Sequence, residues 1–122
     1  MEASASTPGE ALRAVLRQGL AIDEEAINGS IVGIGFLAAA FADDELIEIH
    51  RRNNRLWRER LERLVAAAAP EWPAARVSTV ALALSAMVEG AAAFAAADPD
   101  SCPAAAQETM LDGALGAYGL TT

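Results

Sequence analysis

Residues 43–73 read DDELIEIHRRNNRLWRERLERLVAAAAPEWP, and this stretch predicts a long α-helix with a clear start and end. Asp43 or Asp44 is placed to cap the N-terminus, and the helix is predicted to run to about Ala69, before Pro70. Acidic residues crowd the first turn and arginines lie in the second half, which is the order that the helix dipole favours. Strand signals are missing from the stretch, so it favours a fold built from helices.

Helix boundaries of the same kind recur on both sides of this stretch. Thr7 and Glu10 form a capping box around Pro8, and Asp23 is placed to cap another helix. These signals predict four more helices, which run from Pro8 to about Gly19, from Asp23 through Phe41, from Pro73 to about Ala97, and from Pro103 to about Gly119. We therefore expect an all-α, antiparallel bundle of about five helices that forms one domain over residues 1–122.

The composition agrees with one acidic globular domain. The chain has 122 residues, of which 53% are hydrophobic and 21% charged, so a core can form and disorder is disfavoured. The net charge is −8, and an acidic surface repels the phosphate backbone of nucleic acids. We expect no direct nucleic-acid binding by this chain.

Cysteine usage and the N-terminal sequence indicate the compartment. Cys102 is the only cysteine, so an internal disulfide is excluded. The opening MEASASTPGE lacks the basic and apolar parts of a signal peptide. Residues 80–97 are long enough to span a membrane, but Glu89 lies near their centre and much of the rest is alanine. We expect a cytoplasmic protein without a membrane segment.

The second helix carries the longest uninterrupted apolar run, Ile31–Ala42. Because its apolar side chains extend nearly all round, we expect it to be the central buried element. Gly29 and Gly33 share one face of it with Phe36. Glycine inside a helix usually occurs where room is needed beside the helix. That room could hold a ligand or a crossing helix, and we favour the crossing helix.

A candidate ligand site lies on the long third helix. His50, Asn54 and Trp57 are spaced i, i+4 and i+7 and share one face. Two polar groups beside a tryptophan on an apolar stripe are typical of a pocket that orients a small ligand, although hydrogen bonds to neighbouring helices would explain them too. With apolar residues of the second and fourth helices, the predicted ligand-binding residues are Phe36, His50, Asn54, Trp57, Val80, Leu84 and Met87. For Val80, Leu84 and Met87, ordinary core packing is the favoured alternative, and Leu84 and Met87 could instead face a partner subunit.

Glu89 has three possible interpretations. Its carboxylate could bind a cationic group in a cavity, pair with an arginine, or lie exposed at a subunit margin. An unpaired buried carboxylate would be costly, but the sequence does not decide between these alternatives.

The last two helices are apolar over more of their circumference than one core requires, and they are rich in alanine and glycine. Small residues let helices approach closely, and a surplus apolar face would be a large exposed patch in a monomer. We therefore expect a homodimer through these helices. The predicted interface residues are Ala91, Phe94, Ala95, Met110, Leu111, Ala114, Leu115 and Tyr118.

Catalytic and metal-binding signals are weak. The chain has one histidine, no clustered metal ligands, no glycine-rich phosphate loop and no recognisable nucleophile–base spacing. The arginines of the third helix alternate with glutamates, giving pairs such as Glu48–Arg52 and Glu59–Arg63, which favours a solvated, ion-paired face. We expect neither an enzyme nor a cofactor or metal site.

The order of five segments resembles one known family. These segments are EALRAVLRQGL at 10–20, FLAAAFADDEL at 36–46, IHRRNNRLWRERLERLVAAA at 49–68, VALALSAMVEGAA at 80–92 and MLDGALGAYGL at 110–120. Together they are similar to the C-terminal ligand-binding and dimerisation domain of TetR-type transcriptional repressors, from about Gly9 to Leu120. The motifs are individually soft, and their order is more specific than any one of them.

The resemblance implies a homodimer with a mostly apolar pocket in each subunit. In this family an effector in the pocket shifts the separation of two N-terminal helix-turn-helix domains and so controls operator binding. Those domains would precede Pro8, as would the helix that connects them to the bundle, and neither is seen there. We therefore expect that the chain as given does not bind an operator, whether it is a piece of a repressor or a natural protein without a DNA-reading domain.

The leading hypothesis is therefore an effector-sensing, homodimeric domain that binds a small, largely apolar ligand. A dimerisation module without a ligand is the structural alternative. A third possibility is a truncated regulator that sequesters a full-length repressor as a heterodimer.

Overall fold

The computed structural model describes residues 7–122, which form five α-helices joined by short links. The helices are α1 (Pro8–Gln18), α2 (Glu24–Ala40), α3 (Asp44–Ala68), α4 (Ala74–Ala97) and α5 (Ala104–Tyr118). No strand occurs in this part of the chain, and the predicted all-α bundle is confirmed. Residues 1–6, which make up most of the N-terminal stretch that lacks signal-peptide features, lie outside the described range.

The predicted starts of α1, α2 and α3 are confirmed by their capping hydrogen bonds. Thr7 Oγ1 accepts from the amide of Glu10 at 3.1 Å, and an Asp23 carboxylate oxygen accepts from the amide of Ala26 at 2.8 Å. Asp43 caps α3 in the same way. At the end of α5, Gly119 adopts a left-handed conformation with φ 72°, which glycine adopts without steric cost.

Helix α4 is the centre of the bundle. It contacts each of the other four helices, and nine of its residues are buried. Five of those nine are alanine or serine, which lets neighbouring helix axes approach closely, and the other four are the larger Val77, Val80, Leu84 and Val88. With Leu12, Leu16 and Leu61 of α1 and α3, the larger side chains form the main core.

The prediction that α2 is the central helix is wrong. Only Ala40 of α2 is buried, whereas Val32 is 73% exposed and Phe41, its C-terminal cap, is 76% exposed. The physical reason is that α2 contacts only α3 and α4. The apolar pattern of a helix shows how much of its surface is suited to burial. The number of helices packed against it decides how much of that surface is actually buried.

Helix α5 is attached to α1 by ion pairs and by the C-terminal residues. Arg13 Nε donates to Asp112 at 2.6 Å, and Arg17 Nε donates to Glu108. The backbone after α5 crosses Gly9 so closely that a Cβ on Gly9 would lie 2.7 Å from a backbone atom of Thr121. Glycine is required there because any side chain would collide with main chain.

Gln107 on α5 ties two links of the bundle together. Its side chain is fully buried. Its Oε1 accepts from the amide of Ala21 at 2.9 Å, and its Nε2 donates to the carbonyls of Ala21 and Cys102 at 2.8 and 3.0 Å. One amide thus satisfies polar backbone groups of the α1–α2 link and the α4–α5 link.

Helix α4 is the one described helix that is long and apolar enough to cross a membrane by length and composition. In this structure 44% of its most apolar window is buried inside the bundle, and the core helix of a globular domain shows the same property.

Replacement of Gln107 by leucine should destabilise the fold. Gln107→Leu keeps a similar volume but leaves the amide and carbonyl of Ala21 and the carbonyl of Cys102 without this partner, which costs about 1–3 kcal/mol. Urea denaturation measures the loss. Gln18→Leu, at an exposed glutamine of α1, is the matched control, and equal effects of the two substitutions would contradict this role of Gln107.

The Arg13–Asp112 pair should make stability depend on pH. Hydrogen bonding to Arg13 lowers the pKa of Asp112, so its stabilising contribution is complete above about pH 4 and is lost as pH falls through the lowered pKa. Asp112→Asn should cost at most about 1 kcal/mol near pH 7, because both side chains are partly exposed to solvent.

Denaturation curves across the acid range measure this dependence. The difference between the wild type and Asp112→Asn should shrink below about pH 4. Asp100→Asn removes an exposed carboxylate and serves as the control. A difference that is the same at low and neutral pH would show that the ion pair does not stabilise the fold.

Candidate functional site

Two adjoining cavities lie between the C-terminal end of α1 and the helices α2, α3 and α4. Their volumes are about 440 and 640 Å³, within the range of small-molecule pockets in proteins. Five residues border both cavities, and four of the five have polar side chains. They are Gln18, Gly19, His50, Asn53 and Glu89.

The smaller cavity is walled by α3 and α4. Asn54 and Trp57 of α3 and Val88 of α4 complete its lining. Trp57 Nε1 donates a hydrogen bond to Ser85 Oγ at 3.0 Å, and this bond holds the indole ring against α4. At Gly19 a Cβ would lie 2.6 Å from Val88 Cγ1, so this glycine lets the end of α1 approach α4 at the cavity edge.

The larger cavity is walled by α2. Gly29 and Gly33 lie on its α2 side, beside the apolar side chains of Phe36 and Leu37. Ser30 Oγ donates to the backbone carbonyl of Ala92 at 3.2 Å, and this bond ties α2 to α4 at the cavity wall. The larger cavity therefore combines an apolar wall on α2 with the polar groups shared by both cavities.

Glu89 has the most definite chemistry among the shared residues. It borders both cavities from α4, and it is exposed rather than buried. Its carboxylate can accept hydrogen bonds from a donor group or attract a cationic group, while His50 and Asn53 face the same space from α3. These groups can orient a ligand whose body is apolar.

Four of the seven predicted ligand-binding residues are brought together. Phe36 borders the larger cavity, Asn54 and Trp57 the smaller one, and His50 both. Whether they bind a ligand remains a prediction.

The other three predicted ligand-binding residues lie elsewhere, so including them in the cavity lining is incorrect. Val80 and Leu84 are buried in the main core, and Met87 packs against it. The reason is the rotation of α4, which directs Glu89, Ala92 and Ala93 to the cavities instead.

Several lining residues were not predicted. Asn53 directly precedes Asn54 on α3 but lies outside the predicted stripe, and Gln18 lies at the end of α1, which carried no ligand signal. Glu89 was recognised as an open case. The spacing on one helix could not show which residues of other helices face the same space.

The favoured explanation of Gly29 and Gly33, a crossing helix, is also wrong. No heavy atom lies within 4 Å of a Cβ built on either glycine, leaving aside the backbone of α2 and the adjacent residues. Both glycines border open cavity space instead.

The predicted dimer residues divide into three groups by their exposure. Ala91, Ala95, Leu111 and Leu115 are at most 2% exposed within one subunit, so they pack inside the protomer and are not available to a partner in this arrangement. Phe94 is 71% exposed and Met110 40%, whereas Ala114 and Tyr118 are partly buried against the core.

Charged residues elsewhere form no second candidate site. On α3, Glu48 pairs with Arg51 at 3.6 Å rather than with the predicted Arg52. Within residues 7–122 no three His, Cys, Asp or Glu side chains are grouped so that they could hold a metal ion.

The architecture is that of an all-α domain with a ligand-sized cavity beside its central helix. A family model described as BetI-type transcriptional repressor, C-terminal, matches residues 8–118. The chain belongs to this family, and the TetR-type resemblance is confirmed. It is a family of transcriptional regulators rather than of enzymes, and TetR-type C-terminal domains generally dimerise and bind small effectors. Searches of curated proteins and of solved structures found no match.

Proposed function

We propose that the 122 residues form the effector-sensing and homodimerisation domain of a TetR-type transcriptional repressor. The observation that carries this proposal is the pair of adjoining cavities, with apolar walls and shared polar groups, in a chain of this family. Membership of a regulator family supports a cytoplasmic location. The acidic charge supports operator recognition by residues other than these.

The cavity chemistry supports a small, largely apolar effector with at least one polar group. Phe36, Leu37 and Trp57 offer apolar contact, which contributes binding free energy in proportion to the area removed from water. Glu89 and His50 offer hydrogen-bonding groups that fix orientation. Such a ligand regulates only if it binds one subunit arrangement more tightly than another.

Dimerisation through α4 and α5 is supported by apolar side chains that the bundle leaves uncovered. Phe94 and Leu82 of α4 are more than half exposed, and Met110 of α5 is also exposed. Ala86 and Gly113 on the same two helices are exposed small residues, and such residues allow a partner helix to approach closely. Burial of these side chains in a symmetric contact would stabilise a dimer.

A thermal-shift screen of purified protein against apolar compounds tests effector binding. A ligand at one hundred times its dissociation constant adds about 2.7 kcal/mol of stability and raises Tm by several degrees. Phe36→Ala should weaken binding of a hit, because it removes a cavity wall. Phe41→Ala, at the C-terminal cap of the same helix and outside both linings, should not. A screen that never moves Tm favours the dimerisation module without a ligand.

The subunit contact is tested by sedimentation velocity of Phe94→Glu. A charge at this exposed apolar position should convert dimers to monomers while the helical circular dichroism is retained. Phe41→Glu places the same charge at a similarly exposed phenylalanine, the C-terminal cap of α2, and should leave the dimer intact. A Phe94→Glu dimer with unchanged affinity would contradict this interface, and mixed dimers on co-expression with a full-length repressor would support the heterodimer alternative.

A further inference from the structure

Helix α2 contains three glycines, and backbone conformation explains none of them. Gly29, Gly33 and Gly35 lie within α2, and the positive-φ glycine of the described chain is Gly119. Alanine would adopt the same helical conformation with less loss of entropy on folding. The three glycines therefore lower the stability of α2 without a conformational reason.

Packing does not explain them either. At Gly9 and Gly19, a Cβ would lie within 2.7 Å of another atom, so those glycines permit a close contact. At Gly29, Gly33 and Gly35, no such atom lies within 4 Å. A side chain at these three positions would therefore meet open space in the subunit.

The three glycines lie on different faces of α2, and only two of them border a cavity. Gly29 and Gly33 are four residues apart on one face and border the larger cavity. Gly35 lies on the opposite face and is not part of either cavity lining. The cavity itself is defined independently of the glycines, because α1, α3 and α4 contribute side chains to its other walls.

We infer that Gly29 and Gly33 determine ligand specificity, and that the ligand carries a flat apolar ring that lies against this stretch of α2. The two positions are about 6 Å apart along the helix axis. Because no atom covers either glycine, the face of a ring could lie directly on the backbone between them. Phe36 borders the cavity on the same helix, and Glu89 and His50 border the cavity from other helices. This inference rests on the proposed effector site.

The missing side chains thus provide binding volume at the expense of helix stability. A methyl group at Gly33 would occupy space that the ring fills, and overpacking of this kind weakens contacts substantially. The same methyl group would favour the helix. Stability and ligand affinity should therefore change in opposite directions at Gly29 and Gly33, whereas Gly35→Ala should change stability alone.

The probe for the test is N-phenyl-1-naphthylamine, a neutral aromatic dye that fluoresces in apolar surroundings. Wild type, Gly29→Ala, Gly33→Ala and Gly35→Ala are titrated with the dye, and Tm is measured without it. We expect all three variants to have a higher Tm than the wild type. Gly29→Ala and Gly33→Ala should bind the dye roughly tenfold more weakly, and Gly35→Ala should bind it as the wild type does. Gly33→Leu, which fills more of the cavity, should abolish binding.

Three results would overturn the inference. The first is unchanged dye affinity in Gly29→Ala and Gly33→Ala, which would leave the effector site in place but remove the glycines from it. The second is a Tm below that of the wild type for Gly33→Ala together with a Tm above it for Gly35→Ala. Gly33 would then be needed for packing rather than for ligand binding. The third is a wild type that does not bind the dye, which would exclude the ring-bearing ligand. The screen of apolar compounds would then decide separately whether an effector site exists.

Discussion

The small side chains of α4 are the feature on which the rest of the structure depends. A helix can contact four neighbouring helices only if they can approach closely around most of its circumference. The buried alanines and one serine of α4 permit this close approach along its length. The larger side chains, such as Leu84 and Val88, then fill the core toward α1 and α3. Where α4 presents Glu89, Ala92 and Ala93, its neighbours leave a cavity. The core and the candidate site thus lie on different sides of α4.

Helix boundaries could be predicted from the sequence because their signals are local. Thr7, Asp23 and Asp43 bind amides within three residues, so the interaction is contained in the sequence pattern itself. The central position of α4 could not be predicted in the same way. Residues 31–42 are as apolar as a core helix, yet burial depends on how many other helices surround an element, and this is a property of the whole fold.

Only the part of the candidate site that lies on a single helix could be predicted, because only that part depends on local spacing. His50, Asn54 and Trp57 lie on one helix, where spacing alone places side chains on a common face, and all three border the cavities. The choice of Val80, Leu84 and Met87 required the rotation of α4 relative to α3, which spacing within α4 does not contain. Glu89 is instructive, because a carboxylate in an alanine-rich helix was conspicuous in the sequence but could not be placed without the fold.

Gln107 has a mechanical consequence for the domain. It binds Ala21 in the α1–α2 link, directly after Gly19 and Leu20, which border the larger cavity. Its other hydrogen bond holds Cys102 just before α5. If the α1–α2 link moves at the cavity edge, either the hydrogen bond between Gln107 and Ala21 breaks or the residues just before α5 move with it. The Gln107 side chain thereby couples the position of the α1–α2 link to that of the α4–α5 link.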